Sequence, residues 1–108
     1  MNKLIIKNGD INLEENESIS LKVQKATKFT DVAVVKIKIK NDIDLAIESD
    51  CENIKLDINI NVLKGVKAHI YEIKKGDKYK LKYKFYLEKD STLNIEKIND
   101  VKEIKEMT

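Results

Sequence analysis

The sequence predicts an all-β protein, and three features of its 108 residues carry that prediction. In the segment 78–88, KYKLKYKFYLE, apolar residues alternate with lysine and other polar residues. Because successive side chains of a strand point to opposite faces, this segment predicts a strand with one apolar face and one lysine face. Other segments alternate in the same way, with centres about 12 residues apart and polar turns between them, as in a sandwich, a barrel or a solenoid.

The alternating segments follow one another through one predicted domain, residues 1–108. Their apolar faces are, in order, Ile19, Leu21, Val23; Ala33, Val35, Ile37, Ile39; Ile43, Leu45, Ile47; Ile54, Leu56, Ile58, Ile60, Val62; His69, Tyr71, Ile73; Tyr79, Leu81, Tyr83, Phe85, Leu87; and Leu93, Ile95. The end of the chain differs, because Ile98, Val101 and Ile104 lie three residues apart. That spacing predicts a short terminal helix over 99–107.

The register of the turns bears on how these strands pair. A two-residue hairpin at 76–77 would place Ile73 opposite Lys80, although directly opposed residues share one face of a sheet; a three-residue loop avoids this. A four-residue loop between the third and fourth apolar segments would place Asp44 opposite Asp57, and opposed like charges are destabilising. Some consecutive strands are therefore not hairpin partners. This favours a solenoid, in which each strand pairs with a strand one coil away, over the alternative of an antiparallel β-sandwich.

The charge balance gives no electrostatic indication of nucleic acid or of an anionic membrane as a partner. There are 21 basic and 19 acidic residues, and every basic residue is lysine. Arginine performs most bidentate recognition of phosphate, so its absence argues further against a nucleic-acid role. No segment approaches the length that a membrane span needs. The single cysteine excludes an intramolecular disulfide, and a cytoplasmic location is the simplest expectation.

Two residues are candidate metal or cluster ligands. Cys51 falls in a predicted turn between Asp50 and Glu52, whose carboxylates disfavour a reactive thiolate, so an incidental turn cysteine is the favoured interpretation. His69 is a candidate ligand too, although such a histidine is more often a hydrogen-bonded core or interface residue. One cysteine and one histidine cannot complete a four-ligand zinc site. We therefore expect no cofactor and no resident metal.

The lysine-rich strand faces and the aromatic residues are the remaining candidate sites. Lysines within 36–40 and 80–84 either bind anionic partners or form solvated faces that oppose edge pairing. The second interpretation is favoured, because acidic residues are expected beside them, namely Asp44, Asp57, Glu72 and Glu96. Four aromatic side chains fall on predicted inward positions and are expected in the core: Tyr71, Tyr79, Tyr83 and Phe85. Tyr86 lies on the lysine face and is a candidate interface residue.

Two segments carry a resemblance to a known family. NVLKGVKAHIYEI at 61–73 and YLEKDSTLNIEKIND at 86–100 resemble the β-helix core of the SufB/SufD iron–sulfur cluster assembly proteins, and the similarity extends over 11–100. The resemblance implies a right-handed β-helix and a non-hydrolytic scaffold. Family members are longer and dock a SufC-type ATPase through a helical C-terminal region, so this chain is expected to be a partial β-helix. The family's cluster-ligand positions map onto neither Cys51 nor His69.

Nothing in the sequence predicts an enzyme. The glycines are isolated, and there is no phosphate-binding loop, no nucleophile elbow and no histidine pair. The favoured function is a SufB/SufD-like scaffold that acts through protein contacts. The alternative is a free-standing β-sandwich interaction domain unrelated to iron–sulfur chemistry. Because a short solenoid leaves unpaired strand edges at its ends, we also expect a homodimer formed through strand edges or the Tyr86-bearing face.

Overall fold

The computed structural model describes residues 2–7, 10–12, 18–24, 32–98 and 102–106, and within these ranges the chain forms strands and no helix. The strands are β1 (Asn2–Lys7), β2 (Asp10–Asn12), β3 (Ile19–Gln24), β4 (Val32–Ile39), β5 (Ile43–Asp50), β6 (Lys55–Val62), β7 (Lys67–Lys75), β8 (Lys80–Leu87), β9 (Thr92–Lys97) and β10 (Lys102–Glu106). Accordingly, the described ranges contain no helix with the length and apolar character needed to cross a membrane.

The ten strands form two sheets, which we call sheet A and sheet B. Sheet A has the order β2-β1-β5-β7-β9-β10, and sheet B has the order β3-β4-β6-β8. From β4 to β9, consecutive strands alternate between the sheets, and each pairs in parallel with the strand two places along the chain. These consecutive strands are not hairpin partners, as the turn registers predicted. The antiparallel sandwich is wrong, because among the described strands antiparallel pairs occur only at the ends of the two sheets.

The turns between the sheets stack on one another with the same repeat as the strands. Lys55 of β6 pairs with Lys80 of β8, so these parallel partners lie 25 residues apart. Gly65 and Asp90 are also 25 residues apart and have φ angles of 73° and 62°. The Gly65 N–H donates a 3.0 Å hydrogen bond to the Lys89 carbonyl in the neighbouring turn. One turn geometry is therefore used twice, and only Gly65 adopts its left-handed backbone without a Cβ penalty.

The core lies between the two sheets and is built from the inward faces of their strands. The apolar residues predicted to face the core are buried throughout β4, β6 and β9, as are Ile43, Leu45 and Ile47 of β5, whereas Ile54, just before β6, is partly buried. Ile58 is fully buried, whereas Lys55 on the opposite face is exposed. Alternation therefore predicted correctly which side of most strands faces the core.

The predicted face of β7 is wrong by one residue. The side chains that face the core are Ala68, Ile70 and Glu72, whereas His69, Tyr71 and Ile73 lie on the outer side of sheet A. Both faces of this segment carry apolar residues, so alternation alone did not separate them. Val66, in the turn before the strand, is buried, and the core positions follow it at every second residue. Tyr71 is consequently not part of the inward aromatic group.

The predicted terminal helix over 99–107 is also wrong where the structure describes the chain. Lys102–Glu106 form β10, which pairs antiparallel with β9 and places Ile104 beside Ile95 in the register. This pairing satisfies backbone groups along the edge of β9, which a helix would leave unpaired. Residues 99–101 and 107 of the predicted helix lie outside the described residues.

Candidate functional site

Cys51 lies at the turn between β5 and β6, with its side chain directed into the core. It is 1% exposed, and its Sγ atom lies 3.9 Å from the Ile6 carbonyl oxygen. Glu52, the next residue, is exposed to solvent. The thiol is therefore separated from water, and its position is that of a small core residue rather than of an accessible nucleophile.

His69 lies on the outer face of sheet A. Its ring stacks on Tyr71 with a centroid separation of 4.4 Å. Its Nε2 atom lies 3.4 Å from Glu96 Oε2, a contact that is an ion pair only when the imidazole is protonated. These contacts with Tyr71 of β7 and Glu96 of β9 are of the kind that hold a side chain in place on the surface of a sheet.

The structure does not bring the two predicted ligand candidates together. Cys51 belongs to the interior, whereas His69 lies on the opposite side of sheet A. Within the described ranges, no group of three or more histidine, cysteine, aspartate or glutamate residues is placed to hold a metal ion. A site that uses both candidates would require the fold to open.

A cluster of polar side chains lies inside the protein, where the last residues of β7 and β9 approach the start of β8. Ser49 Oγ and the Tyr79 hydroxyl form a buried hydrogen bond of 2.8 Å. Glu72 is 6% exposed, and its Oε2 atom lies 4.0 Å from Lys97 Nζ. Tyr83 directs its hydroxyl into the same region, where burial, with the charge of Glu72 adding to it, raises the pKa of the phenol.

This cluster borders an open pocket of ≈ 860 Å³, and sequence analysis did not predict the cluster. The sequence feature that could have indicated the cluster is Glu72, a charged residue inside the otherwise apolar segment IYEI. Because the predicted core face of β7 was wrong by one residue, Glu72 was expected on the outside. The cluster contains one carboxylate, two phenols and flanking lysines, with Lys74 Nζ 4.8 Å from the centre of the Tyr79 ring. Raised phenol pKa values keep both hydroxyls protonated, so they are neutral polar groups rather than bases.

The outer face of sheet B is strongly basic, and we call it the lysine face. Its exposed lysines are Lys22, Lys36, Lys38, Lys55, Lys80, Lys82 and Lys84. Among the acidic residues expected beside these lysines, only Asp57 lies on this face. Asp44 and Glu96 lie on the outer side of sheet A, and Glu72 is internal. The expected neutralisation of the lysine face is therefore incomplete.

Tyr86 lies on the lysine face, as predicted, and is 56% exposed. In the register it stands beside Asn61 of β6, which in turn stands beside Lys38 of β4. These side chains, together with Ser20, border a shallow groove of ≈ 370 Å³. An exposed aromatic ring beside lysines and an amide has the composition of a contact surface.

The free edge of β8 is the second unusual surface. Within the described residues β8 pairs with β6 on one side only, and sheet B ends there, whereas sheet A continues through β9 to β10. The inward side chains of β8 are only partly buried: Leu81, Tyr83, Phe85 and Leu87. Their register partners on β6 are each 0% exposed: Leu56, Ile58, Ile60 and Val62. An apolar row is therefore partly uncovered along an unpaired strand.

Comparison with known proteins gives no relative. No family model, curated protein or solved structure matches the chain.

Proposed function

We propose that this chain is a non-catalytic β-helical scaffold segment that works through protein–protein contacts, as the SufB/SufD resemblance implies. The path of the chain supports a β-helical architecture, because consecutive strands alternate between two sheets and pair in parallel one repeat away. Stacked turns with a 25-residue offset support the same proposal. A right-handed coil is part of the proposal.

The single observation that carries the proposed function is the free edge of β8. Its half-covered apolar row and its unpaired backbone recruit another strand, because exposed strand edges are templates for pairing. Cys51 is buried in the core and His69 contacts Glu96 on the outer face of sheet A, so the thiol and the imidazole are not paired for nucleophilic chemistry. The surfaces left for function are the β8 edge and the lysine face.

The proposed partners are other subunits of an assembly, either a second copy of this chain or a complex that includes a SufC-type ATPase. A cytoplasmic location suits a protein with a single cysteine held as a free thiol. In such an assembly the chain supplies shape and strand edges, and another subunit supplies the chemistry.

Sedimentation velocity of the purified chain tests this proposal. We expect self-association at micromolar concentration, because one added strand would cover the β8 row. Antiparallel pairing of two β8 strands sets lysines opposite lysines, so this dimer should strengthen as added salt screens the repulsion. A chain that stays monomeric to about millimolar concentration in high salt, and that does not comigrate with a SufC-type ATPase, would contradict the proposed function.

A further inference from the structure

The chemistry of the β8 edge indicates which partner fits it best, and this inference rests on the proposed function. We propose that the free edge of β8 binds an extended segment of a protein partner in which acidic and apolar residues alternate. The segment adds one strand to sheet B, with its apolar side chains over the inward row of β8 and its carboxylates beside the lysine face.

The backbone of β8 is directed correctly for strand addition. The N–H groups of Lys80 and Glu88 donate to the Ile54 and Val62 carbonyls, with distances of 3.1 and 3.0 Å. Because successive residues of a strand direct their backbone groups to alternate sides, the even-numbered residues of β8 bond to β6. The N–H and C=O groups of the odd-numbered residues therefore face the free edge, where an added strand can pair with them.

The inward row explains the apolar half of the proposed segment. Tyr83 and Phe85 stack with a centroid separation of 5.7 Å, and both remain partly exposed. Their register partners on β6, Ile58 and Ile60, are completely buried because β8 covers them. An added strand with Val, Ile or Leu at alternate positions would cover the β8 row in the same way.

The outward row explains the acidic half. Lys80, Lys82 and Lys84 occupy three consecutive outward positions of β8, and all are exposed. Directly opposed opposite charges on adjacent strands attract, and opposed like charges repel. A strand with glutamate or aspartate at these positions is therefore favoured over a basic strand.

The same charges disfavour a second copy of this chain as the occupant. The outward positions of β8 are three lysines and Tyr86, so antiparallel self-pairing opposes lysine with lysine or tyrosine in the overlapping registers. Added salt should strengthen such a dimer but weaken the binding of an acidic partner. The opposite salt dependence of the two affinities therefore distinguishes the two occupants.

The test uses the full chain and three synthetic eight-residue peptides, which match the length of β8. The first alternates glutamate with valine and isoleucine, the second replaces each glutamate with lysine, and the third has the composition of the first without alternation. Fluorescence polarisation at low protein concentration measures binding. We expect the alternating acidic peptide to bind at least about tenfold more tightly than either of the others.

Two charge-reversed proteins separate edge pairing from general attraction to the lysine face. Lys82→Glu/Lys84→Glu changes β8 itself and should weaken the acidic peptide about tenfold while improving the lysine peptide. The matched control, Lys36→Glu/Lys38→Glu, changes β4 on the same face. In the sheet β6 and β8 stand between β4 and an added strand, a separation of roughly 14 Å, so we expect an effect below about twofold in 0.15 M salt.

Peptides with N-methyl groups provide a test that changes no protein residue. Methylation of the peptide's backbone N–H groups that face β8 should abolish binding, whereas methylation of those that face away from β8 should not. Equal weakening by the two protein variants, equal affinity for the acidic and lysine peptides, or indifference to N-methylation would overturn the proposal. If no peptide binds but the chain self-associates, the scaffold function stands and the partner chemistry is wrong. If neither occurs and the chain does not comigrate with a SufC-type ATPase, both fail.

Discussion

Strands β6 and β8 share a sheet, a parallel register and the same alternation, yet they differ in burial. The inward side chains of β6 are each 0% exposed, whereas those of β8 are only partly buried. The difference is the number of neighbours, because among the described strands β6 has one on each side and β8 has one in all. Alternation therefore decides which side chains face the core, and the neighbouring strands decide how completely they are covered.

The largest expected effect tests this comparison in the core. Ile58→Ala on β6 should lower the free energy of unfolding by about 2–5 kcal/mol, because it leaves a cavity in a fully packed site. Phe85→Ala on β8 should cost only about 1–2 kcal/mol, although it removes more atoms, because the ring is partly in water already. Urea titrations of both variants decide the point, and a cost for Phe85→Ala above that for Ile58→Ala would contradict the comparison.

Two inward tyrosines, Tyr79 just before β8 and Tyr83 within it, sharpen the comparison. Tyr79→Phe loses the buried hydrogen bond to Ser49 and should cost about 1 kcal/mol. Tyr83→Phe should be neutral or stabilising, because within the described residues the Tyr83 hydroxyl is buried without a hydrogen-bond partner. Denaturant unfolding of the pair measures the difference. A larger loss from Tyr83→Phe than from Tyr79→Phe would show that the hydroxyl of Tyr83 has a partner.

The raised pKa of Tyr83 makes a matching prediction for alkaline solution. Burial keeps the phenol protonated in the folded protein at pH values where the unfolded chain loses its proton. The contribution of this phenol to the free energy of unfolding is therefore fully present below the usual pKa of 10.0 and falls as the pH rises above that value. Thermal melts between pH 8 and 11 should show Tyr83→Phe losing less stability than the unmodified protein. Parallel loss in both proteins would assign alkaline unfolding to other groups.

The stacked turns give a smaller effect. Gly65→Ala should cost about 1 kcal/mol, because an alanine is disfavoured at φ 73° even though no atom lies within 4 Å of the added Cβ. Asp90→Gly, at the equivalent position one repeat later, should leave stability unchanged or raise it by a few tenths of a kcal/mol. Chemical denaturation compares the two, and equal losses would show that backbone conformation does not limit these turns.

The smallest expected effect lies on the lysine face. Lys38→Ala on β4 and Lys82→Ala on β8 should each change the free energy of unfolding by less than about 0.5 kcal/mol, because both side chains are exposed. If either substitution costs more than about 1 kcal/mol, that lysine makes a stabilising contact that exposure alone does not indicate.

Sequence analysis predicted most strands and their core faces, but it predicted the contacts between strands only in part. Local alternation is a property of one strand, so it located the core faces of β4, β6 and β8. It was wrong for β7, where Ala68 and Tyr71 are apolar residues on opposite faces and only the packing of Val66 decides between them. It was also wrong for β10, because a spacing of three in a short segment cannot outweigh the backbone pairing that β9 offers.

The candidate site shows the same limit. Tyr86 was located from its position on the lysine face, whereas the internal contact of Glu72 with Lys97 was not predicted, because it joins residues 25 positions apart across parallel strands. Three of the four acidic residues expected beside the lysine face, Asp44, Glu72 and Glu96, lie elsewhere for a related reason. Sequence alternation gives the side of a strand but not the sheet to which the strand belongs.

Residue-resolved amide hydrogen exchange of the monomeric chain tests the central claim most directly. If β8 is a free edge, the amides of Leu81, Tyr83 and Phe85 should exchange rapidly, while those of Lys82 and Lys84, which face β6, should be protected. The β6 amides should be protected at both even and odd positions. Uniform protection along β8, equal to that of β6, would mean that its outer edge is already covered and would contradict the account.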